Sequence, residues 1–150
     1  MTEVDAELIE HMSNPKNYGT IENADAIGVG ENSENGEKVV IHLRVTEQEG
    51  EPFIEDIRFQ AIGCMTTVVA GSVITQEAKG ITFATGEQLI AVTLGMLENV
   101  PSKEAACSEM VALSLKAAMD TYTHKQSNPD FGTITYQIEN SCVVENKEQA

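Results

Sequence analysis

The chain has 150 residues, 41% of them hydrophobic but only 5% aromatic and none tryptophan, so a single domain with a core of Val, Ile, Leu, Ala and Met is expected. Twenty-four acidic against nine basic residues leave a formal net charge of −15, which disfavours nucleic acid and anionic membranes as partners and favours cations or basic protein surfaces. No apolar run approaches the ~20 residues that span a bilayer, and the acidic start MTEVDAELIE is unlike a signal peptide, so the expected location is cytoplasmic.

Residues 2–12 carry Val4, Leu8 and Met12 at every fourth position and predict a short amphipathic helix. It should stop at Asn14-Pro15, because the residue before a proline is pushed out of the helical region. Residues 14–37 are rich in Asn, Gly and Glu, show neither helical nor strand period, and read as a long loop. KVVIHLRVT, residues 38–46, alternates Val39, Ile41, Leu43 and Val45 against Val40, His42 and Arg44. A half-buried strand follows from that pattern, with His42 exposed on its polar face. EQEGEP makes a turn and FIEDIRFQAIG, residues 53–63, alternates again, which predicts an antiparallel hairpin.

Helical patterns follow. CMTTVVAGSVITQEAK starts at Cys64 and closes at Gly80, a glycine at the C-cap position. Thr85-Gly-Glu-Gln88 reads as a capping box heading a helix that ends near Asn99-Val100-Pro101. SKEAACSEMVALSLKAAMDTYTHK predicts the longest helix, with Cys107 at or close to its first turn and His124 beyond its end, where a cation suits the dipole. After Ser127-Asn128-Pro129, FGTITYQIENSCVV alternates and predicts an added strand before a polar tail.

The three cysteines, at 64, 107 and 142, are odd in number and widely spaced, with no CxxC, so any metal site must be assembled by the fold. A lone buried cysteine is usually a small hydrophobe. Two of these, however, fall at predicted helix N-termini, where unpaired N–H groups and the dipole favour a thiolate, the form that ligates metals and attacks electrophiles.

Three stretches together resemble the IscU/NifU N-terminal domain family of iron-sulfur cluster assembly scaffolds, over roughly residues 5–125. They are His11-Met-Ser-Asn-Pro-Lys-Asn-Tyr-Gly19, the strand ending Phe59-Gln-Ala-Ile-Gly-Cys64, and Cys107-Ser before an Ala-rich helix. The resemblance implies an α+β fold with a small antiparallel β-sheet packed against helices. It implies a scaffold domain over 1–126 and a C-terminal extension over 127–150. It also implies a site of three cysteines, an aspartate two residues after the first and a histidine just before the third. Position by position, Cys64 and Cys107 match the second and third cysteines. Within Ser33-Glu-Asn-Gly-Glu37, Asn35 takes the first cysteine's place and Glu37 the aspartate's, while Ala106 replaces the histidine. Asn is a neutral, poor ligand for soft metals and Ala supplies nothing.

Three repairs of the ligand set stay open: a Glu37 oxygen, a homodimer pooling two cysteines from each chain, or Cys142 folding back. The resemblance implies an iron-sulfur cluster or iron as cargo, with zinc as the alternative. The implied partners are a cysteine desulfurase, a chaperone and acceptor apo-proteins. The chaperone's loop would be Asn99-Val-Pro-Ser-Lys103, which also reads as a plain proline-marked connection. A carrier rather than an enzyme is expected, since no Ser or Cys is paired with a convincing base. The alternatives are a degenerate member serving as a protein-interaction or regulatory module, and a metal-free persulfide carrier.

Overall fold

The computed structural model describes residues 15–32, 36–62, 65–96 and 102–138, the side chains of 65, 66 and 102–107 excepted. The helix expected over 2–12, and with it His11, lies outside the described residues. Among the described residues four strands and three helices follow in the order β1 (Ala26–Asn32), β2 (Lys38–Gln48), β3 (Glu51–Ile62), α1 (Met65–Ala78), α2 (Phe83–Met96), α3 (Ser102–Ser127) and β4 (Ile134–Ile138).

The strands form one sheet in the order β3-β2-β1-β4. β1, β2 and β3 pair antiparallel, and β2 and β3 meet through Glu49-Gly50, both at positive φ, 54° and 84°. Two such residues make the tight turn whose twist matches a hairpin. The fold is α+β as expected, but the sheet is mixed rather than antiparallel. β4 lies parallel to β1, with Gly28 opposite Ile134 and Asn32 opposite Ile138. A parallel neighbour needs a long crossover, and here the whole of β2 through α3 supplies it.

The long loop expected over 14–37 contains β1. Its inward positions are Ala26, Gly28, Gly30 and Asn32, all buried, so no large apolar residue marks the alternation. Glycine is required because α3 lies directly on the strand. A Cβ at Gly28 would stand 2.0 Å from the Ala118 backbone nitrogen, and one at Gly30 2.3 Å from the Met110 carbonyl oxygen.

One face of the sheet carries all three helices. Val39, Ile41 and Leu43 of β2 and Ile54, Ile57 and Phe59 of β3 are fully buried there beneath Met110, Val111, Leu115 and Met119 of α3. Gly71 lets α1 close on the Phe59 ring, which a Cβ would meet at 2.3 Å. The free edge of β3 is covered by two short segments. Residues 17–19 bond Phe59, through Gly19 N donating to Phe59 O and Phe59 N donating to Asn17 O; Ile81 and Gly80 bond Ile54. Covered edges of this kind block pairing with a second sheet. Gly80, at φ 88°, turns the chain just past α1. No helix among the described residues is long and apolar enough to cross a membrane.

Candidate functional site

The opening motif turns out to be a clamp. Lys16 N donates to Ser72 Oγ at 2.7 Å and Asn17 Nδ2 to Thr75 Oγ1 at 3.2 Å, which ties the segment to α1. The Tyr18 ring meets Phe59 edge-on at 5.1 Å. Arg58 Nη1 donates to Asn17 Oδ1 at 3.2 Å and to Asp56 Oδ1 at 2.8 Å, and Lys79 stands 3.4 Å from the same Asp56 oxygen. Pro15-Lys-Asn-Tyr-Gly19 thereby fastens α1 to β3, the two elements that flank residues 63–64.

Of the site residues expected from the sequence, Asn35 and Cys64 lie outside the described residues, as does Cys142. Cys107 is described as backbone and Glu37 in full. The sheet register nonetheless states where their described neighbours stand. Glu31 pairs with Lys38 and Lys38 with Ile62, so the β1–β2 connection bearing Glu37 and the end of β3 leading to Cys64 share one end of the sheet. That connection is tight: Asn32 N donates to Glu37 O at 2.8 Å and Gly36 N to Asn32 O at 2.9 Å, with Gly36 at φ 80°. Glu37 is half-buried there.

α3 brings Cys107 to the same end. The helix runs antiparallel to β1, with Gly28 against Ala117 and Ala118 and Gly30 against Met110 and Ser114. Two strand residues advance ~6.6 Å, or four to five helical residues at ~1.5 Å each, so the backbone of Cys107 comes about level with Asn32. The helix begins at Ser102, which puts Cys107 sixth along it, in the second turn rather than the first. The dipole falls off within the first turn, so this placement does less for a thiolate than the sequence suggested. Ser108 also lines an apolar cleft of about 330 Å³ between the helices, with Val69, Ala70, Val73, Ile74, Thr93 and Met96.

The described histidines stand away from this end. His42 is on the sheet face opposite the helices, four residues along β2 from Lys38. It is half-buried, not exposed as its alternation implied: Nδ1 is buried without a partner among the described residues, and the ring makes a backbone hydrogen bond at Ile21. Desolvation is the larger effect and lowers its pKa below 6.5, against the opposing pull of that bond. His124 is in the last turn of α3, at the far end of the helix, and stacks on Phe131 at 4.8 Å. Among the described residues no group of three His, Cys, Asp or Glu side chains is arranged to hold a metal ion.

Residues 3–129 match the model of the NifU-like N-terminal domain. The chain belongs to that family. An iron-sulfur cluster assembly scaffold protein IscU of Archaeoglobus fulgidus is 32% identical to it over 127 residues, 82% of this chain and 78% of the relative. The IscU scaffold of Azotobacter vinelandii is 28% identical over 79% of this chain and 93% of its own. The fold is also that of the N-terminal part of a NifU-like protein from Brucella abortus, with a TM-score of 0.64 at 14% identity, covering 79% of this chain and 93% of that one.

Proposed function

We propose that this NifU-like domain is an iron-sulfur cluster assembly scaffold that receives iron and sulfur, holds the nascent cluster as cargo, and passes it on. The observation that carries the reading is the convergence, in a member of this family, of Glu37, the end of β3 before Cys64 and the Cys107 turn of α3 at one end of the sheet. Cluster iron is held by thiolates, and of the two family-matched cysteines Cys64 follows the last residue of β3 by two positions in the sequence while the backbone of Cys107 comes to that end on α3. Glu37 would add a carboxylate oxygen where the family carries aspartate. Asn35 contributes no thiolate.

The cargo is an iron-sulfur cluster rather than a lone zinc ion, in keeping with the names of the relatives. A cysteine desulfurase supplies the sulfur, and a chaperone assists release to acceptor apo-proteins. The protein acts as a carrier in the cytoplasm, with no acid-base step of its own. The test is anaerobic loading with ferrous iron and sulfide, followed by desalting, iron and sulfide analysis and visible absorption, beside a Cys64→Ser, Cys107→Ser double variant. Cluster absorption in the wild type and none in the variant is the expected outcome. A wild type that retains neither iron nor sulfide would overturn the reading in favour of a metal-free member of the family.

A further inference from the structure

Charge is spread unevenly over this chain. The segment that forms α1 and α2, residues 65–96, holds three charged residues, Glu77, Lys79 and Glu87, although the whole chain has 24 acidic and 9 basic residues among 150. Two of the three are taken up in ion pairs with other elements: Lys79 stands 3.4 Å from Asp56 of β3 and Glu87 3.8 Å from Lys116 of α3. The rest of this surface is apolar or neutral. Val73, Val92 and Met96 are 39%, 59% and 71% exposed, and Gln76, Gln88 and Ala91 are exposed beside them.

α1 and α2 both pack on α3 rather than closely on each other, which leaves a groove between them. The apolar cleft beside Ser108 forms one end of it, between Val69 and Val73 of α1 and Met96 of α2. A second cleft of about 330 Å³ continues the groove, between Glu77 of α1 and Leu89 and Val92 of α2. Val69, Val73 and Glu77 are four residues apart and line one side of α1. Glu77 is the sole charged side chain among the residues lining the two clefts. Contiguous apolar surface of this kind marks a site of association, and the cores of protein interfaces are depleted in charge.

The distribution of charge identifies the occupant. In a dimer related by a two-fold axis each surface patch meets its own copy, so an acidic patch would face the same charge. A chain with a net charge of −15 can therefore meet itself closely where charge is absent, and α1 with α2 supplies that surface. A basic partner would be drawn instead to the acidic faces elsewhere. We infer that the groove between α1 and α2 is the contact surface of a homodimer, in which Val73, Val92 and Met96 of each copy pack against the groove of the other. The inference goes beyond the scaffold reading and does not depend on it, since neither iron nor sulfur takes part. Ser108, the residue after Cys107, lines the groove, so the second copy comes to rest beside that turn of α3.

The experiment is analytical sedimentation of the full, unloaded chain in a reducing thiol, over about 5 to 300 μM protein at about 0.05 and about 0.5 M NaCl. The wild type is compared with Val92→Glu, which places a charge beside the groove, and with Thr135→Glu, which places the same charge elsewhere. Thr135 is exposed and pairs with Val29, whose neighbours Gly28 and Gly30 face α3, so it stands on the sheet face away from the helices. Circular dichroism confirms that each variant is folded. Expected is a monomer–dimer equilibrium in the wild type, at least about fivefold tighter at the higher salt, because screening relieves the repulsion between like-charged copies. Val92→Glu should weaken it at least about tenfold and Thr135→Glu less than about twofold, since a charge is costly where the interface is apolar. A wild type that stays monomeric throughout overturns the inference and leaves the groove to another occupant. A dimer that both variants weaken equally, or that salt weakens, lies on a different surface and overturns it too. None of these outcomes touches the iron-loading test, so the scaffold reading stands or falls separately.

Discussion

Gly28 and Gly86 show how one residue type serves two purposes. At Gly28 an added methyl would meet the backbone of α3, which cannot yield without moving the helix; at Gly86 it would meet the Met119 sulfur at 3.0 Å, the flexible end of a side chain. Gly28→Ala is therefore expected to cost about 3 kcal/mol, at the upper end for overpacking. Gly86→Ala should be close to neutral, because a helix interior gains about 1 kcal/mol from alanine over glycine. Urea unfolding of the two variants beside the wild type checks the contrast. Equal losses would mean that α3 does not lie on β1 as closely as described. The same glycines explain why β1 was hidden: its inward positions had to be small, and the alternation that marks a strand depends on large apolar residues.

Caps and cross-ties define the elements. The sequence pointed to Thr85 as the head of the second helix, whereas Thr82 precedes Phe83 and its Oγ1 accepts from Thr85 N at 3.2 Å. Thr82→Ala should lower stability by about 1 kcal/mol, the usual worth of an N-cap, and Thr82→Ser should restore most of it. Thr85→Ala, measured in the same thermal melts, should do less. β4 is tied to α3 by Tyr136, whose hydroxyl donates to Asp120 Oδ2 at 2.5 Å, while Lys116 stands 3.3 Å from that same oxygen. The bond to Asp120 first, then burial and the neighbouring carboxylate charge, push the Tyr136 pKa up from 10.0 to about 12. A raised folded-state pKa means the tie contributes in full below pH 10 and is lost as pH climbs through about 12. Tyrosine absorbance titration should accordingly show a late step near pH 12 that Tyr136→Phe removes. A step that survives the substitution would belong to another tyrosine, and Tyr122 is also shifted upward, by burial first and then by Glu47.

At the scale of the molecule, a domain read as ending at 126 is expected to be incomplete. Ile138 is in the core and β4 shields the edge of β1. A chain cut after residue 126 should lose at least about 3 kcal/mol relative to one ending at 138, by analogy with deleting a buried Ile side chain, and should associate through its bared edge. Chemical unfolding and sedimentation would show both effects. An equally stable, monomeric shorter chain would contradict this account of β4.

The sequence by itself determined the family, the hairpin of β2 and β3, the helices and the two family-matched cysteines, because each is encoded in residues close together. Alternation in Val39, Ile41 and Leu43, the Glu49-Gly50 turn and the glycine after α1 are local signals, and local chemistry enforces them. Only the tertiary structure decided that β1 exists, that β4 joins it in parallel, and that the backbone of Cys107 comes level with Asn32 of β1. It alone brought the end of β4 to the end of the sheet where Glu37 stands. The physical reason is the same in each case. These features follow from where α3 comes to rest on the sheet, and contacts between residues some ninety positions apart leave no period along the chain.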